Sequence, residues 1–121
     1  MLSALIVDDN RWTADSIVSE LLALGIQARA AYGAGPGMAI LSIESPDMVF
    51  LDINMPSISG FEILSYVSRE PRLAKVPVFV ITSDDQPQTR QRAMKSGARD
   101  FLLKPVSIDA LEVVLKWAKF L

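Results

Sequence analysis

Short apolar runs alternate with segments of helical spacing along the whole chain. Runs rich in Val, Ile and Phe occupy residues 3–8, 26–31, 47–52, 76–82 and 100–103, and the stretches between them repeat apolar residues three and four positions apart. The pattern predicts a strand followed by a helix, five times over. Met48 to Leu51 and Val76 to Ile81 show no polar alternation, as expected of parallel strands covered by helices on both faces. Pro77 is tolerable because it lies near a strand start.

The helix boundaries follow from capping residues and breakers. The first helix should be capped by Asn10, carry Ile17, Leu21 and Leu24, and end at Gly25 in a left-handed conformation. The second should begin near Pro36 after a Gly33-Ala34-Gly35 loop, bury Met38 to Ile43, and end by Pro46. Ser59 should cap a third helix carrying Phe61, Leu64 and Val67, which stops before Pro71. The fourth covers Gln86 to Ser96 and stops at Gly97; the fifth begins near Ser107. That last helix and the residues after it hold Leu111, Val113, Val114, Leu115, Trp117, Phe120 and Leu121, more apolar surface than one sheet-facing stripe needs. Part of it should be exposed as an interaction surface.

Alternating strands and helices with short connections imply a doubly wound α/β fold, a five-stranded parallel sheet with right-handed crossovers. For a flavodoxin-like (βα)5 sheet the strand order is 2-1-3-4-5, and ligands bind beyond the carboxyl ends of strands one and three. Asp8 and Asp9 end the first run, Asp52 the third, Thr82-Ser83 the fourth and Lys104-Pro105 the fifth. The topology therefore gathers three acids, a hydroxyl and an ammonium at one rim. Trp12 should lie beside them.

Composition narrows the chemistry. The 121 residues suit one domain over 1–121, with half of them hydrophobic and 21% charged. Twelve basic against fourteen acidic residues leave a net charge of −2, which provides no general field for nucleic acid. Cysteine and histidine are both absent, excluding disulfides, thiolate metal sites, thiol catalysis, imidazole acid–base chemistry and triads. The first run is cut short by Asp8-Asp9 without a basic leader and reads as a strand rather than a signal peptide. No stretch approaches the roughly 18 apolar residues of a membrane span, so a cytoplasmic setting is expected.

What remains is oxygen chemistry. Acids crowded at a sheet edge repel one another unless they share a cation. An ionised carboxylate held stiffly at a strand end can attack an activated phosphoryl group, and Asp52 is best placed to do so. Asp9, with Asp8 beside it, offers a seat for Mg²⁺, which takes one or two carboxylates, a carbonyl and waters; Mn²⁺ should substitute. Lys104 supplies a mobile point charge to a phosphoryl oxygen and Thr82 a neutral hydrogen bond. Singly, each feature has an ordinary explanation: acids that cap a helix, a solvated lysine, a strand-end hydroxyl, a core phenylalanine.

Together, Asp8-Asp9, Asp52 followed by Asn54-Met55-Pro56 and Gly60, Thr82-Ser83, Phe101 and Lys104-Pro105 resemble a bacterial response-regulator receiver domain of the single-domain chemotaxis type. The match spans almost the whole chain. The resemblance implies a two-component signalling switch rather than a turnover enzyme. In it, Asp52 accepts phosphate from the phosphohistidine of a sensor kinase or phosphotransfer protein, Asp9, Asp52 and the Asn54 carbonyl hold Mg²⁺, and Asp8 helps indirectly. Thr82 and Lys104 would grip the phosphoryl group, and Thr82 and Phe101 would form the switch pair, although Phe101 lacks the hydroxyl of a tyrosine. Asn54 and Asp84 would tune hydrolysis of the acyl phosphate. The implied output is a changed surface on the fourth helix, fifth strand and fifth helix, offered to an unknown downstream protein or to a second copy. The chain would be a free-standing receiver or one cut from a longer protein, with no effector domain of its own.

Three other classes stay open at this level. An aspartyl-nucleophile phosphohydrolase of the haloacid dehalogenase kind would want an acid two residues after the nucleophile, where Asn54 stands. A flavodoxin-like cofactor binder would want a phosphate cradle rather than Asp8-Asp9-Asn10. A receiver fold could also serve as a phosphorylation-independent docking module. The isomer of the Lys104-Pro105 bond is not legible from sequence.

Overall fold

Every apolar run becomes a strand and every spaced segment a helix in the computed structural model, which describes residues 1–56 and 58–121. The order is β1 (Ser3–Val7), α1 (Arg11–Ala23), β2 (Gln27–Ala31), α2 (Ala34–Leu41), β3 (Met48–Asp52), α3 (Gly60–Arg69), β4 (Val78–Thr82), α4 (Pro87–Lys95), β5 (Asp100–Leu103) and α5 (Ile108–Trp117). The strands form one parallel sheet in the order β2-β1-β3-β4-β5, as the alternation predicts. Among the described residues no helix is long and apolar enough to cross a membrane.

Because side chains alternate across a strand, the sheet builds two apolar layers. Leu5, Val7, Val49, Leu51, Val78 and Val80 face α2 and α3, meeting Leu41, Ile63, Leu64 and Val67. Ala4, Ile6, Met48, Phe50, Phe79 and Ile81 face α1 and α5, meeting Ile17, Leu21, Leu111 and Leu115. Phe50 and Phe79 stack with ring centroids 4.9 Å apart. All five positions of β3 and of β4 are buried, which is why these strands read as unbroken apolar runs. At the edge, β2 is half exposed and alternates.

The capping residues behave as their chemistry suggests. Asn10 Oδ1 accepts from Thr13 N at 3.1 Å, Ser59 Oγ from Phe61 N at 3.2 Å and Ser107 Oγ from Ala110 N at 3.1 Å. Gly25 takes a positive φ of 84° just beyond α1, a conformation that costs an L side chain free energy.

The second helix departs from expectation. It starts at Ala34, capped by Gly33, so Ala34 and Gly35 belong to the first turn and not to a loop. Pro36 fits the third helical position because the first-turn N–H groups need no intrahelical partner. The helix ends at Leu41, short of the expected burial through Ile43: Leu41 is buried, whereas Ile43 lies beyond the helix and is 78% exposed. Close approach explains the geometry. A Cβ on Gly37 would meet Val7 Cγ1 at 2.7 Å, so the helix rests directly on β1 and aims Leu41 into the core.

α5 buries Leu111, Val114 and Leu115 and leaves Val113 and Trp117 exposed, Trp117 at 69%. Phe120 and Leu121 lie past its end. The surplus apolar surface of this segment is therefore divided between core and solvent.

Candidate functional site

The sheet order sets the site. β1 and β3 are paired with Val7 opposite Leu51, so the next residues, Asp8 and Asp52, emerge side by side at the carboxyl edge. The Asp8 backbone N–H continues the ladder by donating to Ala31 O at 3.1 Å. Asp8 is completely buried, Asp52 is 3% exposed and Asp9 is exposed, and one oxygen from each lies within 4.8 Å of the others.

Both buried carboxylates are held by their own loops. Asn10 N donates to Asp8 Oδ1 at 2.9 Å, and Asn54 N donates to Asp52 Oδ1 at 3.0 Å. Each acid therefore keeps its Oδ2 for the centre of the site. Lys104 Nζ stands 3.3 Å from Asp52 Oδ2 and 2.8 Å from Asp8 Oδ2. The Asp52 contact has hydrogen-bond geometry. The Asp8 contact is the shorter of the two, an ion pair to a fully buried carboxylate.

One cation facing two buried acids leaves the charge unbalanced. Burial pushes Asp52 up from 3.8 to about 6, with the Asp8 charge adding to the rise and the Asn54 N–H and Lys104 opposing it. Burial alone would pull Lys104 down, but the Asp8 and Asp52 carboxylates more than offset it and hold its pKa above the ordinary value.

Gly60 has a structural reason that sequence did not supply. It starts α3 under the end of β3, where any Cβ would collide with the Asp52 carbonyl oxygen and with Ile53 Cα. Its value is closeness of approach rather than an unusual φ.

On the other side of Asp52, Thr82 ends β4 and is completely buried. Its Oγ1 accepts from Asn54 Nδ2 at 2.9 Å and from Asp84 N at 3.1 Å. The Asp84 carboxylate turns to the start of α4, accepting from Gln86 N at 3.0 Å and Thr89 Oγ1 at 2.7 Å. Those two bonds, the backbone one first, hold its pKa below the usual carboxylate range. The tip of β5 is tied in by Lys104 N donating to Thr82 O at 2.8 Å, and the Lys104-Pro105 peptide bond is cis.

Phe101 is 8% exposed, packed behind Thr82's strand with the Arg90 guanidinium 5.8 Å from its ring centre. Trp12 is 85% exposed and borders a small depression with Thr13, Ser16, Ile17, Pro105 and Val106. Two features went unread in the sequence. The Asn54–Thr82 bond joins residues 28 positions apart, which only pairing of β3 with β4 brings into reach. Tyr32 donates its hydroxyl to Asp15 and lies under Arg11, whose guanidinium is 4.2 Å from the ring centre. Its position just past β2 was the available signal. Two grooves that share Ser3, Arg29 and Glu44 in their lining belong to the opposite edge of the sheet, away from the clustered acids.

Comparison with known proteins agrees with this geometry. The family model described as response regulator receiver domain matches residues 4–116. Protein PilH of Pseudomonas aeruginosa is 33% identical over 111 residues, covering 92% of each chain. A probable cyclic di-GMP phosphodiesterase of Vibrio cholerae is 36% identical over 110 residues, which make up 24% of that longer protein. Among solved structures, chemotaxis protein CheY4 of Vibrio cholerae superposes with a TM-score of 0.89 at 25% identity, covering 97% of this chain and 98% of CheY4. With strand order, acid cluster and nearly the full length in agreement, the chain belongs to the response regulator receiver domain family, the signal-receiving module of two-component systems.

Proposed function

We propose that the protein is a phosphoacceptor switch in which Asp52 takes a phosphoryl group from the phosphohistidine of a sensor kinase or phosphotransfer protein in the cytoplasm. The observation that carries this reading is the shared ammonium: Lys104 Nζ sits between Asp8 Oδ2 and Asp52 Oδ2 and donates to Asp52 Oδ2. A carboxylate fixed through Oδ1 by Asn54 N presents its other oxygen as the nucleophile. Attack forms a bond from that oxygen to phosphorus while the bond from phosphorus to the donor's imidazole nitrogen breaks, and the imidazole leaves with the electron pair.

The donor set fits a hard divalent cation. Three carboxylates offer oxygens within 4.8 Å of one another, an all-oxygen donor set of the kind such an ion takes. Asp9, Asp52 and the Asn54 backbone carbonyl would hold Mg²⁺ or Mn²⁺, with Asp8 helping indirectly. When bound, the ion supplies charge neutralisation on the phosphoryl oxygens. The chain's own residues do the rest: Lys104 turns its ammonium to one phosphoryl oxygen, and Thr82 donates its hydroxyl to another. Asn54 and Asp84 border the route of an attacking water and tune the lifetime of the acyl phosphate.

The readout is a changed surface on α4, β5 and α5, transmitted through Thr82 and Phe101 to a downstream partner or a second copy. An amide at position 54 lacks the proton a phosphohydrolase of this architecture would need from a general acid, which favours a switch over a turnover enzyme. The test is incubation with Mg²⁺ and acetyl phosphate followed by intact mass. The native chain should gain one phosphoryl group and Asp52→Asn none; equal labelling of both, or of neither, removes the reading.

A further inference from the structure

Thr82 Oγ1 stands out as a hydroxyl whose hydrogen-bonding capacity is nearly spent before any ligand arrives. A hydroxyl has two acceptor positions and one proton. Both acceptor positions are filled by N–H donors, Asn54 Nδ2 at 2.9 Å and Asp84 N at 3.1 Å, and the residue is completely buried, so solvent does not compete. With those two directions occupied, the proton is left the remaining tetrahedral direction.

We propose that the Asn54 carboxamide is a positioning residue that commits the Thr82 hydroxyl to act as a donor, and so sets how tightly an anion on Asp52 is held. The inference rests on the phosphoacceptor reading and adds a role for the Asn54 side chain apart from its backbone and from hydrolysis. The two donors differ in kind. Asp84 N is backbone and survives side-chain substitution, whereas Asn54 Nδ2 is, among the described residues, the one side chain that donates to Oγ1. Loss of the carboxamide frees an acceptor position, and the hydroxyl can then rotate among orientations, of which only some serve a phosphoryl oxygen. Asn54 N also fixes Asp52 Oδ1, at 3.0 Å, so one residue orients the nucleophile with its backbone and the anion's donor with its side chain.

The experiment measures affinity for beryllofluoride, a phosphoryl mimic, in the presence of Mg²⁺. Calorimetry is run on the full chain, with thermal melting of every variant to show that it folds. Asn54→Ala should weaken binding by about threefold to tenfold, the worth of one neutral hydrogen bond. In a Thr82→Val background, which has no hydroxyl to orient, the same Asn54→Ala change should have no effect. In a Thr82→Ser background, where the hydroxyl returns, the loss should return with it. A merely structural role for Asn54 predicts the same loss in all three backgrounds and would overturn the inference, as would tighter binding by Asn54→Ala, the sign of a carboxamide competing for the Thr82 proton. A native chain that binds beryllofluoride while Asn54→Ala matches it removes this inference alone. A native chain that ignores the probe removes the phosphoacceptor reading, and this inference with it.

Discussion

The two edges of the sheet treat charge in opposite ways. At the carboxyl edge, two buried acids share one ammonium and Asp52 is pushed up to about 6. At the amino edge, polar groups are paired nearly one for one. Asp47 Oδ2 accepts from Ser3 N at 2.8 Å; Arg72 donates to the carbonyls of Leu41 and Glu44 and to Ser45 Oγ; Arg29 meets both Glu44 oxygens, at 2.9 and 3.1 Å. Arg72 in effect caps α2 from the α3–β4 connection, satisfying carbonyls that a helix end leaves unpaired. One edge stores electrostatic imbalance and the other closes the fold. On the proposed reading, the imbalance is what a cation and a phosphoryl group would relieve on binding.

The contrast can be broken hardest at Lys104. On the proposed reading, Lys104→Met removes the one positive charge that, among the described residues, pairs with Asp8 and Asp52, and phosphoryl uptake from acetyl phosphate should fall by about a hundredfold or more, the scale of losing one preorganised charge stabiliser. Uptake rates from intact mass against time would measure it; a rate within a few fold of native would show that the shared ammonium is incidental.

The cost of the imbalance should be visible as a pH slope. A carboxyl raised when folded contributes stability that is present below the unfolded pKa of about 4 and is lost as pH climbs through its folded pKa. With Asp52 raised to about 6, the chelated, metal-free protein should lose stability between roughly pH 4.5 and 7 by on the order of 2 kcal/mol from this group. Urea unfolding with EDTA across that range tests the slope, and Asp52→Asn should flatten it. An unchanged slope in the variant would place the strain elsewhere.

The smallest effect belongs to the amino edge. Arg72→Ala should cost about 1 to 2 kcal/mol by removing hydrogen bonds to the end of α2. Phosphoryl uptake should be unaffected, since Arg72 belongs to the other end of the sheet. A stability change near zero, or a matching loss of uptake, would erase the distinction between the two edges.

Much of this was legible without coordinates, for reasons that differ by element. β3 and β4 announced themselves because a strand covered on both faces has no polar positions. α1 and α5 were readable from Asn10 and Ser107, whose side chains cap the helices through local hydrogen bonds. The ends of α2 differ from the pattern's expectation because its limits depend on contacts distant in sequence: Gly37 lying on Val7, and Arg72 reaching back to Leu41 and Glu44. The reason for Gly60 is not legible in sequence, since crowding against the Asp52 carbonyl exists only once β3 and α3 are folded together.

The amino-acid order by itself determined the period of the elements, the strand order and therefore which residues share the rim, because hydrophobic spacing and right-handed crossovers leave few ways to wind such a chain. Only the tertiary structure decided the electrostatics and the hydrogen-bond directions at that rim. Where the Lys104 ammonium divides its charge between Asp8 and Asp52, and which donors fill Thr82, depend on distances of a few ångströms between residues tens of positions apart. Local sequence carries no term for such distances; burial and packing set them.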